Sequence, residues 1–234
     1  MEHCKIMTQN VYLSPKDKAK RLNQIRSHIE NNEYDVAFLQ EALFYTDIPS
    51  LRGKHNLAYK NGLFGPRGGL ITVMKDEPDS IKFHKYKDQG KVLSMQATDR
   101  LISKGFLVAK KGDTSYVNTH SVAVYSNNPK RRKQEHQHVS NQIEELFEFL
   151  ESQKGRIVVG GDFNFNQDSE SYAKIIEHLT DHTKSLKGKL DFDKKEGQLD
   201  FVFSNLGIGF NHEVIDYPFV VSDHNGVSLE LMLL

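Results

Sequence analysis

Short apolar runs that end on polar residues recur along this chain, and they predict buried β-strands. Residues 36–39 and 157–159 are entirely apolar, while residues 4–13 alternate between apolar and polar positions. Runs of this length, bounded by Gly, Asn and Asp, are typical of strands rather than helices. The predicted strands are 4–13, which ends near Asn10, 35–41, 55–59, 69–74, 80–86, 105–110, 114–119, 156–160, 199–204, 208–216 and 226–232.

Three further segments carry apolar residues at spacings of three and four, the period of a helix with one buried face. The first is predicted to start with Ser14-Pro15-Lys16-Asp17, in which Ser14 is the cap, Pro15 is the first helical residue and Asp17 completes a capping box. The second spans 130–153, and the third begins after Ser169. The predicted buried faces are Ala19, Leu22, Ile25 and Ile29, then Val139, Ile143, Leu146, Phe147 and Leu150, then Tyr172, Ile175, Ile176 and Leu179.

Length and composition favour one globular domain over residues 1–234. The 234 residues are 38% hydrophobic, which is enough for a continuous core. Lys plus Arg and Asp plus Glu each total 31, so no overall positive field attracts a polyanion such as duplex DNA. Segment 181–198, rich in Lys, Asp and Gly, is predicted to be a mobile surface loop.

Targeting features are also absent from the sequence. It contains no run of roughly 18 apolar residues and no basic region followed by an apolar signal stretch, so we expect no transmembrane segment. Cys4 is the single cysteine and cannot form an internal disulfide. We expect a monomer that is cytoplasmic, or secreted if a leader has been removed, and peripheral contact with a membrane is compatible with this composition.

Acidic, amide and histidine residues follow several of the predicted strands. Asn118-Thr119-His120, Gly161-Asp162-Phe163-Asn164 and Ser222-Asp223-His224 each follow an apolar run, and Glu41 ends another. Polar groups that leave apolar strands tend to converge on one edge of a sheet. Cleavage of a phosphodiester needs cations against the phosphoryl oxygens, an activated water and stabilisation of the leaving oxygen. These residue types therefore indicate a metal-dependent phosphodiesterase.

The acidic residues suggest a magnesium site. Mg²⁺ prefers oxygen ligands and usually takes one or two carboxylates from a protein. Glu41, assisted by the amide of Asn10, is the first candidate ligand, and Asp162 or Asp223 can bind a second ion.

A pair of residues from two other runs suggests acid–base chemistry. Asp200 ends the piece Gly197-Gln198-Leu199-Asp200, and His224 follows Asp223. A carboxylate that orients a histidine from another strand fixes its tautomer and stabilises the imidazolium. The sequence thus offers Asp200 and His224 as a catalytic pair, with His120 as a second catalytic histidine.

Six motifs follow one another along the chain. They are Thr8-Gln9-Asn10-Val11-Tyr12, Leu39-Gln40-Glu41, Asn118-Thr119-His120, Gly161-Asp162-Phe163-Asn164, Leu199-Asp200-Phe201 and Ser222-Asp223-His224. In this order they resemble the endonuclease/exonuclease/phosphatase superfamily, whose fold is that of deoxyribonuclease I. The resemblance implies an α/β (α+β) four-layer αββα sandwich, with two mixed, mainly antiparallel sheets and the helices outside.

The resemblance also implies roles for single residues. Asn10 and Glu41 correspond to the principal Mg²⁺ site, in which Mn²⁺ can substitute, and Asn164 corresponds to an amide that contacts the scissile phosphate. Asp200 corresponds to the partner of a catalytic histidine.

The same resemblance distinguishes the remaining catalytic groups. Asp162 is similar to a residue that orients or deprotonates the water. His120 is similar to one that stabilises the phosphoryl oxygens or protonates the leaving group. Whether His224 or Asp162 is the base stays open.

Within the superfamily, Ser103-Lys104-Gly105-Phe106 resembles the Lys-Gly element of neutral and bacterial sphingomyelinases. Tyr45 also matches an aromatic position of that branch. Both residues are candidates for substrate binding, and Arg67, in a glycine-dense turn, is a third. The chain shows no obvious exposed aromatic hairpin for entering a bilayer, which is a departure from that branch.

Three functions are therefore considered. The first is a Mg²⁺-dependent phosphodiesterase that acts on a phospholipid head group, as a sphingomyelinase does. The second is a nuclease acting on DNA or RNA, which the zero net charge disfavours. The third is a catalytically inactive binding module of the same fold. The basic cluster Lys130-Arg131-Arg132-Lys133 is compatible with an anionic surface, a phosphate backbone or simple solvation.

Overall fold

A computed structural model describes residues 2–12, 14, 16–90, 102–186, 191–193, 197–206, 208–218 and 220–233. The α-helices given for these residues are α1 (Lys18–Asn31), α2 (Asp47–Leu51), α3 (Pro129–Ser152) and α4 (Glu170–Ile176). Its strands are β1 (Glu2–Asn10), β2 (Val36–Gln40), β3 (Asn56–Ala58), β4 (Ile71–Met74), β5 (Ser80–Lys85), β6 (Gly105–Lys111), β7 (Thr114–His120), β8 (Arg156–Asp162), β9 (Thr180–Asp181), β10 (Asp191–Asp193), β11 (Gly197–Gln198), β12 (Asp200–Ser204), β13 (Gly209–Ile215) and β14 (Gly226–Leu233).

Two main sheets are formed, as predicted, and each has six strands. The first has the order β13-β14-β1-β2-β4-β3 and the second the order β5-β6-β7-β8-β12-β9. Each sheet contains one parallel pair, β1 with β2 and β7 with β8, among antiparallel neighbours. Strands β10 and β11 form a separate short hairpin. No helix in the described part of the chain is long and apolar enough to cross a bilayer.

Three apolar clusters separate the four layers. Strand β2 contributes side chains to two of these clusters, because successive side chains point to opposite faces of a strand. Val36 and Phe38 lie in the cluster between the sheets, whereas Ala37 and Leu39 face α1. Helices α3 and α4 cover the outer face of the second sheet through a third cluster. Each sheet is therefore buried on both faces, and the αββα sandwich is confirmed.

The helix ends agree with the sequence in two cases out of three. Ser169 accepts a hydrogen bond from the backbone N–H of Tyr172 and caps α4. Asn128 caps α3, with Pro129 at the first helical position. The predicted capping box of the first helix is wrong, because α1 begins at Lys18 and Asp17, at φ 51°, makes no side-chain cap bond. Pro15 lies outside the described residues.

The buried side chain of Arg21 explains why the chain before α1 does not continue the helix. Its guanidinium donates to the carbonyl oxygens of Val11 at 2.7 Å, Lys16 at 3.1 Å and Val221 at 2.8 Å, and also to Tyr12 and Ser14. The carbonyl oxygens of Val11, Tyr12, Ser14 and Lys16 therefore surround this side chain. The same bonds fasten the segment after Asn10 to the one before Asp223.

Replacing Arg21 with alanine is expected to lower the free energy of unfolding by about 2–4 kcal/mol. Several carbonyl oxygens would lose their donor in a buried place, which is among the most costly kinds of substitution. Urea denaturation measures this difference. Arg52→Ala is a matched control, because Arg52 is exposed and its removal should cost less than about 0.5 kcal/mol. Equal losses in both variants would contradict the role given to Arg21.

Candidate active site

Strand register brings the predicted side chains to one end of the sandwich. In the second sheet, the parallel pair β7 and β8 places His120 opposite Asp162, and the antiparallel pair β8 and β12 places Asp200 opposite the same residue. In the first sheet, the parallel pair β1 and β2 places Asn10 opposite Gln40. These strand ends meet at a cavity of about 340 Å³.

Seven predicted residues line this cavity, and two lie directly behind it. Asn10 and Asp200 are the buried pair behind the wall, where they contact residues of the lining. The lining consists of Tyr12, Glu41, Lys104, His120, Ala123, Val124, Tyr125, Asp162, Asn164, Leu199, Asp223 and His224. The tyrosines at 12 and 125 were not among the predicted site residues. Tyr125 lies in the loop that leaves the end of β7, which is the one signal that would have indicated it.

A side chain of the first sheet reaches across to the second at this end. Asn10 Nδ2 donates to Asp162 Oδ2 at 3.0 Å and to Glu41 Oε1 at 3.3 Å. Its own amide oxygen accepts from the backbone N–H of Tyr12 at 3.0 Å. Asn10 therefore positions two carboxylates from opposite sheets, and its oxygen is turned away from Glu41.

A second cross-sheet network was not recognised in the sequence. Asn118, on β7, accepts from Gln40 Nε2 at 2.9 Å and donates to the carbonyl oxygens of Leu39 at 3.1 Å and Ile71 at 3.0 Å. All of these groups are buried. Asn118 thus links the two sheets through three buried hydrogen bonds close to the end of β7.

The backbone at the site adopts conformations that are uncommon for residues with side chains. Glu41 has φ 64° and Asn164 has φ 50°, both in the left-handed region. Such residues persist only where the surroundings hold them, and they are frequent at functional sites. Gly161 meets a different need, because a Cβ there would lie 2.0 Å from the carbonyl oxygen of Thr119. This close approach lets β8 deliver Asp162 beside β7.

Asp200, His224 and Asp162 form a charged row. His224 Nδ1 lies 2.6 Å from Asp200 Oδ2, and His224 Nε2 lies 3.8 Å from Asp162 Oδ2. Burial alone would lower the pKa of His224, but the charges of Asp200, Asp162 and Asp223 raise it to about 10. Burial raises the pKa of Asp162, against the opposing charges of His224 and Lys104. At neutral pH His224 is therefore an imidazolium beside a carboxylate of raised proton affinity.

The second histidine is in the opposite state. Lys104 Nζ donates to His120 Nε2 at 2.7 Å, and His120 Nε2 also lies 3.4 Å from Asp162 Oδ2. Burial, followed by the positive charges of Lys104 and His224, lowers the pKa of His120 well below its ordinary value. His120 is thus a neutral imidazole. Environments that separate the pKa values of two like groups are a feature of acid–base sites.

Replacing Lys104 with methionine is expected to raise the pKa of His120 part of the way to its ordinary value. Removing the ammonium charge eliminates one of the two main causes of the lowered pKa, and burial leaves the other in place. An NMR titration of the histidine ring protons measures the change. Lys174→Met is the control, because Lys174 is exposed on α4, and it should leave the pKa of His120 unchanged. An unchanged His120 titration in the Lys104 variant would contradict this account.

The donor set suits a hard divalent cation. Glu41 and Asp223 both line the cavity. Burial is the main cause of the raised pKa of Asp223, and the negative charge of Glu41 raises that pKa further. A cation between such carboxylates would relieve their repulsion, and oxygen donors are what Mg²⁺ prefers.

A second group offers further carboxylate ligands. Within the described ranges, ligand atoms of Asp162, Asp200 and His224 all lie within 4.8 Å of one another. At neutral pH the two carboxylates are the donors in this group, because a protonated His224 has no lone pair for a metal. Asp200 Oδ1 is buried and makes no hydrogen bond with any described residue.

Two predicted substrate-binding residues lie outside the cavity. Tyr45 donates its hydroxyl to the carbonyl oxygen of Gly62 at 2.8 Å. Arg67 lines a neighbouring cavity of about 570 Å³, whose wall includes Leu43 and Ser103. Neither residue therefore lines the cavity that holds the other predicted site residues.

Several solved structures share this fold at low sequence identity. The crystal structure of SmcL is 18% identical with a TM-score of 0.71, and the alignment covers 98% of this chain and 99% of that one. Sphingomyelinase C from Streptomyces griseocarneus is 15% identical with a TM-score of 0.71, covering 99% and 100%. D. rerio TDP2, complexed with a single-strand DNA product, is 15% identical with a TM-score of 0.72, covering 100% of both chains.

Sequence comparisons give the family. A search of curated protein sequences gave no match. The model of the Endonuclease/Exonuclease/phosphatase family matches residues 7–224, a stretch that contains every predicted site residue. The chain belongs to the endonuclease/exonuclease/phosphatase family.

Proposed function

We propose that this chain is a Mg²⁺-dependent phosphodiester hydrolase in which water attacks phosphorus in line, with a phospholipid head-group ester as substrate, as in a sphingomyelinase. One observation carries the proposal. A single cavity holds a protonated histidine paired with a carboxylate, a neutral histidine paired with a lysine, and Asp162 between the two histidines. These groups can hold, donate and accept protons around a phosphoryl group.

Asp162 is the group best suited to receive a proton from the attacking water. Its raised pKa makes it a stronger base than an ordinary carboxylate, and its Oδ2 is oriented by Asn10. His224, held by Asp200, keeps its charge and can stabilise negative charge on a phosphoryl oxygen. This division of roles favours Asp162 over His224 as the base.

The opposite wall can stabilise the departing oxygen. Lys104 places an ammonium group beside His120, where both face the cavity. Asn164 Nδ2 donates to the carbonyl oxygen of Ser121 at 3.2 Å, which holds the amide at the wall for contact with a phosphate. Glu41 and Asp223 are the proposed holders of Mg²⁺, whose chemistry when bound is to neutralise charge on the phosphoryl oxygens.

A nuclease is the second candidate. The likeness to TDP2 in complex with a single-strand DNA product supports it, as do the exposed rings of Tyr12 and Tyr125 at the cavity mouth. Aromatic rings of this kind can stack on unpaired bases. The equal totals of acidic and basic residues argue against it, because nucleic-acid binding draws mainly on positive charge.

The decisive experiment compares two substrates in parallel. Sphingomyelin in mixed micelles and fluorescent single- and double-stranded oligonucleotides are offered to the protein with Mg²⁺, with Mn²⁺ and with a chelator. Glu41→Gln is the inactive control. We expect Mg²⁺-dependent release of phosphocholine that the chelator abolishes. Cleavage of the oligonucleotides alone would assign the chain to the nucleases, and turnover of neither would overturn the proposed function in favour of a binding module.

A further inference from the structure

Exposed apolar side chains are concentrated at the catalytic end of the molecule. Nine large apolar or aromatic side chains among the described residues are exposed, and six of them line the catalytic cavity or one of two other cavities. The six are Tyr12, Phe44, Leu63, Phe64, Tyr125 and Val220. Within that set of nine, Tyr45, Ile176 and Ile208 line none of these cavities. Apolar surface gathered in this way usually marks a place of contact.

A tight turn at residues 61–66 carries the most prominent of them. Leu63 is 82% exposed and Phe64 60% exposed at its tip. The turn closes through a hydrogen bond from Gly62 N–H to the carbonyl oxygen of Gly65, at 2.7 Å, and Tyr45 bonds to it twice. No obvious aromatic hairpin was expected from the sequence, and this short turn exposes one aromatic ring, that of Phe64. Its tip is held rigidly outward instead of folding back into the core.

A second exposed apolar side chain belongs to Val220. Val220 is 81% exposed and lines a cavity of about 340 Å³ together with Tyr12 and Asp223, which also line the catalytic cavity. The turn at residues 61–66 and Val220 are therefore two separate exposed apolar sites. Neither contributes to the core, so folding stability does not account for them.

Basic side chains accompany these two sites, although the whole chain is neutral. Lys60 and Arg67 adjoin the 61–66 turn, and Lys16 and Lys20 line the cavity beside Val220. The cluster Lys130–Lys133 starts α3, directly after the loop that carries Tyr125.

The acidic residues at this end do not cancel that charge. Glu41 and Asp223 point into the catalytic cavity, and Asp47 is paired with Lys18 at 2.8 Å. Asp17 is the exposed acid among the basic residues beside Val220. The outer rim is thus apolar with a basic surround, which complements an anionic lipid surface.

We infer that the catalytic end docks on an anionic lipid surface, with Leu63, Phe64 and Val220 entering the interfacial layer. The two most exposed side chains, Leu63 and Val220, are aliphatic and cannot stack on bases, and the basic residues beside them favour an anionic partner. Docking in this orientation turns the catalytic cavity towards the head groups. The inference rests on the proposed function for its purpose, but membrane binding itself needs no turnover.

Sedimentation with vesicles tests the inference. The protein is mixed with phosphatidylcholine vesicles that contain or lack phosphatidylserine, and the bound fraction is measured. The double variant Leu63→Ser and Phe64→Ser is expected to bind at least about tenfold more weakly to both kinds of vesicle, because two apolar side chains no longer leave water. Ile208→Ser is the matched control, since Ile208 is 49% exposed but lies away from the cavity, and it should bind normally.

Charge and folding are tested separately. Lys130→Glu with Lys133→Glu is expected to weaken binding only to the vesicles that contain phosphatidylserine, and added salt should do the same to the unchanged protein. Thermal unfolding midpoints equal to that of the unchanged protein show that each variant is folded. Failure of the unchanged protein to bind either vesicle, or equal binding by the Leu63/Phe64 double variant, would overturn the inference. Vesicle binding without hydrolysis of any phosphodiester would instead overturn the proposed function and leave the docking surface standing.

Discussion

Replacing His224 with glutamine is expected to lower kcat/KM for phosphodiester hydrolysis by about 10²- to 10⁴-fold, the range typical of removing a positioned acid or base. The substitution removes the positive charge that Asp200, Asp162 and Asp223 maintain on the ring, and it breaks the 2.6 Å contact between His224 Nδ1 and Asp200 Oδ2. Steady-state kinetics on the phosphodiester that the two-substrate experiment identifies measures the effect. His178→Gln is the control, because His178 is exposed and far along the chain from any site residue.

The Asp200→Asn variant separates charge from shape in the same pair. The amide keeps the size of the carboxylate but no longer supplies its charge, so the pKa of His224 should fall from about 10. As that pKa falls, the imidazolium would be lost at a lower pH, and NMR titration of the ring would record the shift. A His224 titration that is the same in both proteins would show that Asp200 does not act on His224. Full activity of His224→Gln would exclude the proposed site.

The second large effect is expected from Glu41→Gln. A metal ion against a phosphoryl group contributes several kcal/mol to the transition state, so loss of its holder should lower kcat/KM by about 10²- to 10³-fold at fixed Mg²⁺. Mg²⁺ binding measured by calorimetry should weaken in parallel. Glu41 also accepts from Asn10 Nδ2 at 3.3 Å, and glutamine can keep a similar shape at that place. The change therefore tests the charge at this position.

Two comparisons decide the meaning of that result. Glu177→Gln removes an exposed carboxylate elsewhere and should leave both kinetics and metal binding unchanged. If Glu41→Gln binds Mg²⁺ as tightly as the unchanged protein, the ion is held elsewhere, and the group of Asp162, Asp200 and His224 becomes the site to test.

The strands and the chemical motifs were predictable, because each strand appears in the sequence as a short apolar run and each motif lies at the end of such a run. Strand partners were not predictable from the residues alone. Only the pairing of β8 with both β7 and β12 puts Asp162 between His120 and Asp200, and that pairing is a property of the whole sheet. The family resemblance supplied the expectation that these residues belong together.

Two features, the start of α1 and the exposure of Leu63 and Phe64, could not be predicted from local sequence patterns. Ser14-Pro15-Lys16-Asp17 carries every local signal of a helix start, yet Arg21 takes the carbonyl oxygens of that segment and of Val221, which is about two hundred positions away in the chain. Leu63 and Phe64 resemble core residues in the sequence. Their exposure results from the closure of a turn by two glycines, so no periodic pattern indicates it.

The catalytic groups are divided between two halves that meet only through the middle of the protein. Asn10 and Glu41 belong to one half, while Asp162 and His120 belong to the other, and the Asn10–Asp162 bond of 3.0 Å spans the gap. The thickness of the apolar layer around Phe38 therefore sets the distance between the proposed catalytic groups of the two sheets. A Cβ at Gly160 would lie 2.5 Å from the Phe38 ring, so even one added methyl group there would widen the layer. Substitutions between the two sheets, far from any substrate, are thus expected to lower activity by changing the spacing of the proposed catalytic residues, even though those residues are all retained.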